Sequence, residues 1–214
     1  MRTSVIKQID NTIFFVSQLQ QWANKHSQVV VLDSNYYKQR YSEYDFVIAV
    51  DAYTFLETSY HNAFSSLHHY QSQINDWIFG AIGYDAKNDI EKLYSNNYDG
   101  LQFPDLYFFQ PKKLFFIKDN ILQIEYINSF AHEIEADFIA INSILVDELS
   151  AVEHNIDISQ RITQEKYIEK VQKMLAHIHR GDIYEANFCM EFFAENCNIK
   201  PLDIFNKLNK LSKA

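Results

Sequence analysis

The run FVIAV at residues 46–50 constrains this chain most, because five consecutive apolar residues have no period that could leave one face wet. Such a run belongs to a strand buried on both sides, in the middle of a sheet with a layer on each face. QVVVL at 28–32 has the same β-branched character and predicts a second central strand.

Helical spacing surrounds these strands. Phe15, Val16, Leu19, Trp22 and Ala23 recur at three and four within residues 12–26, and Tyr60, Phe64, Leu67 and Ile74 do so within 60–74. WIFGAIGY at 77–84 reads as a strand whose two glycines allow a bulge or a close backbone approach. Residues 106–109, 113–118 and 121–127 read as three further strands. The last two are joined by Asp119-Asn120, a pair that tolerates the positive φ of a tight hairpin. Ile134, Phe138, Ile141 and Ile144 predict a helix over 132–145.

Residues 147–163 are polar and weakly periodic, and mark a boundary between parts spanning 1–150 and 164–214. Beyond it, Thr163 is placed to cap a helix, with Glu165 in its first turn. Tyr167, Ile168, Val171, Met174, Leu175 and Ile178 form one stripe ending near Gly181. Residues 184–192 alternate apolar and polar and predict a strand packed on one face, whose polar side carries Glu185, Asn187, Cys189 and Glu191. Pro201 suits the first turn of a last helix with Ile204, Phe205, Leu208 and Leu211 on one stripe. That unfinished apolar face predicts exposed hydrophobic surface and a tendency to associate. Strands and helices without regular βαβ alternation define an α+β fold of mixed layered sheets with flanking helices.

Composition narrows the function classes. A net charge of −9 with scattered Lys and Arg offers no basic patch for a nucleic-acid backbone. No apolar run approaches the roughly 20 residues of a membrane span, and the N-terminus lacks a signal-peptide core, so the expectation is a cytoplasmic protein. Cys189 and Cys197 match neither a zinc set nor a disulfide scaffold. The four glycines form no phosphate-cradling motif. Paired histidines at 68–69 and 177–179 sit at i,i+1 and i,i+2, where helical neighbours diverge, so surface histidines are the plainer reading. Asp85, Asp89 and Glu91 follow a strand end, where carboxylates can serve acid-base or magnesium chemistry. No nearby His, Ser or Cys completes a constellation, and solvated charge on a short helix is the alternative.

The segment YIEKVQKMLAHIHRGDIYEANFCMEFF at 167–193 resembles the opening of the chorismate-binding domain shared by anthranilate synthase component I and para-aminobenzoate synthase component I. Gly181, Asp182, Ile183, Tyr184 and Asn187 match the family's GDIYQxN, with Glu185 replacing the commoner Gln. VVLDS at 30–34, YSEYDFVIA at 41–49 and WIFGAIGYD at 77–85 follow in family order, and FPDLYFFQP at 103–111 resembles the para-aminobenzoate branch.

The resemblance implies an anthranilate synthase component I-like N-terminal domain over 1–150 and the incomplete beginning of the chorismate-binding domain over 164–214. It implies an intact enzyme that aminates chorismate to 4-amino-4-deoxychorismate for folate synthesis, with Mg2+ and a glutamine amidotransferase subunit supplying ammonia. By position it nominates Leu32, Asp33, Ser34, Tyr41, Ser42, Glu43 and Tyr44 for a tryptophan-like site; the bland alternative is that these residues only turn the chain. The family's catalytic lysine segment, its magnesium ligands and its third tryptophan-contacting segment are expected after Ala214, so no catalytic or metal-binding residue is assigned here and the chain alone is expected to be inert. Anthranilate synthase component I is the rival reading, and a non-catalytic tryptophan-binding or partner-docking module is the rival from another class.

Overall fold

The computed structural model describes residues 1–35, 37, 40–94, 96–146 and 156–212. The chain divides into two compact units, one of Met1–Glu148 with Phe205–Ala214 and one of Leu149–Ile204. Of the polar stretch 147–163, residues 147–155 lie outside the described residues.

The first unit is α+β, an antiparallel sheet with flanking helices. In chain order it holds β1 (Arg2–Gln8), α1 (Thr12–Ala23), β2 (Val29–Asp33), β3 (Phe46–Thr58), α2 (Ala63–Ile74), β4 (Phe79–Ile82), β5 (Leu106–Lys118), β6 (Ile121–Ile127) and α3 (Ile134–Asn142). The strands run β1-β6-β5-β3-β2, and β4 joins the free side of the first half of β5.

The apolar run at 46–50 is buried on both faces. Phe46, Ile48 and Val50 meet Phe15, Leu19 and Trp22 of α1 and Ile134 and Ile141 of α3, together with Phe115, Ile117, Leu122, Ile124 and Tyr126. Val47 and Ala49 face the other way, onto Phe79, Phe109, Leu114 and Phe116. Each Val, Ile, Leu or Phe side chain so buried stabilises the fold by about 1.5–3 kcal/mol through removal from water. The second run differs from expectation: among the described residues β2 pairs only with β3 and is an edge strand, and Leu32 stays 53% exposed.

Two strands exceed their sequence signals. β3 continues eight residues beyond its apolar run, through a bulge between Ala52 and Thr54 that follows Asp51 at φ +58°. β5 runs unbroken through Pro111, where separate strands at 106–109 and 113–118 were expected. Proline is tolerated because the ladder is interrupted around it: β4 pairing stops at Phe109, β6 pairing starts at Lys113, and Ala52, its partner in β3, borders the bulge. The hairpin to β6 turns on Asp119 at φ +53°. β1 has no counterpart in the sequence reading, and its register is set by seven pairings to β6.

The strand between residues 77 and 84 is shorter than expected. β4 covers four residues, and Gly80 lies so close to β5 that a Cβ there would meet the Tyr107 carbonyl oxygen at 1.9 Å. A 3-10 turn, Tyr84–Asp89, follows. There Asp85 pairs with Lys87 at 2.8 Å, and Asp89 accepts the backbone N–H groups of Asn62 (2.8 Å) and Phe64 (3.1 Å) at the start of α2. Asp89 thus serves as a helix cap supplied from 25 residues away. Asp89→Ala should lower the unfolding free energy by about 1 kcal/mol, measured by urea denaturation, as loss of an N-cap does elsewhere.

The second unit contains β7 (Ser159–Gln160), α4 (Gln164–Arg180) and β8 (Phe192–Phe193), and α5 (Pro201–Ser212) begins in it. Thr163 caps α4 through the Lys166 N–H, and Gly181 ends it at φ +85°, where a side chain would be strained. The alternating segment 184–192 does not form the expected strand: only Phe192–Phe193 pairs, with Ser159–Gln160. Alternation shapes a strand only where a neighbour completes the ladder, and two residues of β7 are what the described residues provide.

Candidate functional site

The end of β2 begins a turn fixed by short-range polar bonds. Asp33 Oδ1 accepts the Asn35 N–H at 2.8 Å, which holds Asn35 at φ +49°, a conformation asparagine tolerates. The Ser34 N–H donates to the Asp45 carbonyl (2.9 Å) and closes the base of the loop, and the Tyr37 N–H donates to the Ser34 carbonyl (2.8 Å). Further on, the Ser42 hydroxyl donates to the Tyr44 carbonyl at 2.8 Å. The Tyr44 ring packs on Phe116 with centroids 4.7 Å apart. Burial, then the charge of Glu43, pushes the Tyr44 hydroxyl above the usual tyrosine range.

Residues 205–212 of α5 belong to the same unit as this turn. The Asn209 Nδ2 donates to Asp33 Oδ2 at 3.1 Å, and the Asn35 Nδ2 donates to Asn209 Oδ1 at 2.7 Å. Beside this triad lies an open groove of about 350 Å³ lined by Val31, Leu32, Asp33, Phe205, Leu208, Asn209 and Ser212. Its size is at the lower end of small-molecule sites, and it joins apolar walls to a small polar cluster, as such sites do.

Of the nominated residues, Leu32 and Asp33 line the groove, and Ser34 sits at the loop base next to them. Tyr44 is packed on the sheet, with Ser42 bonded to its carbonyl. Tyr41, at 86% exposure, and Glu43 face solvent and do not line the groove. Asn209 was missed by sequence reasoning, which saw α5 as an apolar stripe; a polar residue beside Leu208 was the only local signal.

The residues of the GDIY motif do not converge. Gly181 and Asp182 close the end of α4: their N–H groups donate to the carbonyls of Ile178 and His177, both at 3.0 Å. The Asp182 carboxylate also bonds to His177 Nδ1 at 2.7 Å and to the Arg180 guanidinium, and these bonds, Arg180 first, hold its pKa below the usual carboxylate range. Ile183, Tyr184 and Asn187 are exposed, Tyr184 at 94%. Among the described residues no three His, Cys, Asp or Glu side chains gather as metal ligands, and no helix is long and apolar enough to cross a membrane.

With this geometry in place, comparison with known proteins supplies the class. A family model described as chorismate binding enzyme matches residues 13–214, and the chain belongs to that family. Over 123 residues it is 28% identical to an anthranilate synthase component I-like protein of Synechocystis sp. (strain ATCC 27184 / PCC 6803 / Kazusa), a stretch covering 56% of this chain and 24% of that relative. The match thus spans about a quarter of the length of the curated relative.

Proposed function

We propose that the chain is the scaffold part of an aminodeoxychorismate synthase component I, which aminates chorismate to 4-amino-4-deoxychorismate in the cytoplasm. The observation that carries this reading is the family match across 13–214, combined with the FPDLYFFQP segment resembling the para-aminobenzoate branch. Residues 1–150 act as the N-terminal domain and 164–214 as the beginning of the chorismate-binding domain. A glutamine amidotransferase subunit supplies ammonia. The exposed free thiols Cys189 and Cys197 suit a reducing compartment.

In this reading the strand end of β2 holds an amino acid such as tryptophan, whose apolar part lies against Leu32. Magnesium in the whole enzyme would stabilise charge on the chorismate carboxylate and leaving hydroxyl. Among the described residues no three His, Cys, Asp or Glu side chains gather to hold the ion.

A second reading, anthranilate synthase component I, is favoured by the printed description of the Synechocystis relative. The two differ in product. Incubating the protein as encoded in the cell with chorismate, ammonium and magnesium chloride should yield 4-amino-4-deoxychorismate by chromatography. Anthranilate would select the second reading, and unconsumed chorismate would overturn both. The 214-residue chain by itself should leave chorismate unconsumed; turnover would refute its role as scaffold.

A further inference from the structure

We infer that Asp33 and Asn209 are positioning residues of the proposed amino-acid site, latching residues 205–212 of α5 to the end of β2 together with Asn35. This inference rests on the amino-acid reading of the groove. Each carboxylate oxygen of Asp33 accepts one hydrogen bond within the protein, Oδ1 from the Asn35 N–H and Oδ2 from the Asn209 amide. The Asn209 amide is used at both ends, donating to Asp33 and accepting from the Asn35 side chain. The three side chains close a ring of hydrogen bonds between residues 176 positions apart in sequence. That ring sets the separation of the two walls of the groove, Val31 and Leu32 on the strand and Phe205 and Leu208 on the helix. A ligand held between those walls binds in proportion to how firmly they are held apart at the right distance.

The ring has an internal symmetry that makes its role separable from that of a charge. In the exchanged pair Asp33→Asn with Asn209→Asp, the amide oxygen now at position 33 still accepts the Asn35 N–H. The amide nitrogen at that position donates to one oxygen of the carboxylate now at position 209, and the other oxygen accepts from the Asn35 side chain. Every bond of the ring is regenerated, and the negative charge moves from strand to helix. Asn209→Asp alone instead sets two carboxylates against each other at the distance of a hydrogen bond.

The test is calorimetric titration of the protein as encoded in the cell with L-tryptophan, beside hydrogen exchange of the amides of residues 205–212. Asn209→Asp should weaken binding by about tenfold, within the range of ordinary coupling between sites, and speed exchange in the helix. The exchanged double variant should restore both to within about threefold of the original protein. A double variant that recovers slow exchange but not affinity would show that Asp33 holds the ligand by its charge, overturning the positioning role. Asn209→Asp exchange rates equal to those of the original protein would overturn the latch itself. If the original protein as encoded in the cell shows no heat with tryptophan, the amino-acid reading of the groove fails, while the exchange rates of the two variants still decide whether the latch exists.

Discussion

Asp137→Ala should lower the unfolding free energy by about 3–5 kcal/mol, a large share of the roughly 5–15 kcal/mol typical of a domain. Lys113 is 5% exposed, and its ammonium lies 2.5 Å from Asp137 Oδ2 and 2.7 Å from Glu133 Oε2. The Tyr126 hydroxyl donates to the same Asp137 oxygen at 2.9 Å, and the Trp22 and Tyr126 rings lie 5.4 and 5.2 Å from the ammonium. Without Asp137, one buried charge keeps a single carboxylate that is itself partly solvated, and a buried hydroxyl loses its acceptor. Tyr126→Phe should cost only about 1 kcal/mol, because it removes one hydrogen bond and orphans no charge. Replacing the group together (Lys113→Met, Asp137→Leu, Tyr126→Phe) should be nearly neutral, since apolar side chains of similar volume avoid the desolvation of both charges.

The pH dependence of this group follows from two raised pKa values. Burial lowers that of Lys113, but the hydrogen bonds and charges of Asp137 and Glu133 outweigh it and leave it above the usual lysine range. Burial, then the charge of Asp137, raises that of Tyr126. Groups with raised folded values contribute stability that is complete below their unfolded values, about 10 for tyrosine and about 10.4 for lysine, and is lost as pH rises through the folded values. Urea denaturation should therefore show the gap between the original protein and Asp137→Ala constant at neutral pH and narrowing above about pH 10.

The elements legible in the sequence are those whose cause is local. The stripe of α1, the cap and glycine stop of α4, the Asp119 turn and the doubly buried run of β3 each depend on residues within one turn or one ladder. Elements decided by distant partners were not legible. β1 is ordered by β6, a strand far along the chain, and β5 crosses Pro111 because its neighbours stop and start around that residue. Alternation at 184–192 made no strand before Phe192, for want of a partner among the described residues, and QVVVL made an edge rather than a centre. Of the candidate groove, Leu32 and Asp33 were nominated by resemblance, whereas Asn209 reaches Asp33 across a sequence separation that no local pattern encodes.

The N-terminal strand supplies the other large effect, with its sign on the acid side. Arg2 Nε donates to both oxygens of Asp76, at 2.8 and 3.0 Å, while its terminal nitrogens reach the carbonyls of Pro111 (2.6 Å) and Glu125 (3.3 Å). The pair is part-buried, with side chains 7% and 15% exposed, and Gln110 Nε2 adds a bond to Asp76 at 2.7 Å. Burial raises the Asp76 pKa, but the bonds from Arg2, Gln110 and the Trp77 N–H outweigh it and hold the carboxyl below its usual range. Arg2→Ala should cost about 3 kcal/mol at pH 7, since Asp76 keeps its charge and loses its cation. Arg2→Lys should recover only part of this, because one ammonium cannot span Asp76 and two carbonyls as the guanidinium fork does. A depressed folded pKa contributes stability that is complete above the unfolded value of about 3.9 and is lost as pH falls through the folded one. Denaturation between pH 7 and pH 2 should thus show the original protein and Arg2→Ala converging below about pH 4, and a constant difference down to pH 2 would mean that Arg2 acts by packing rather than by charge.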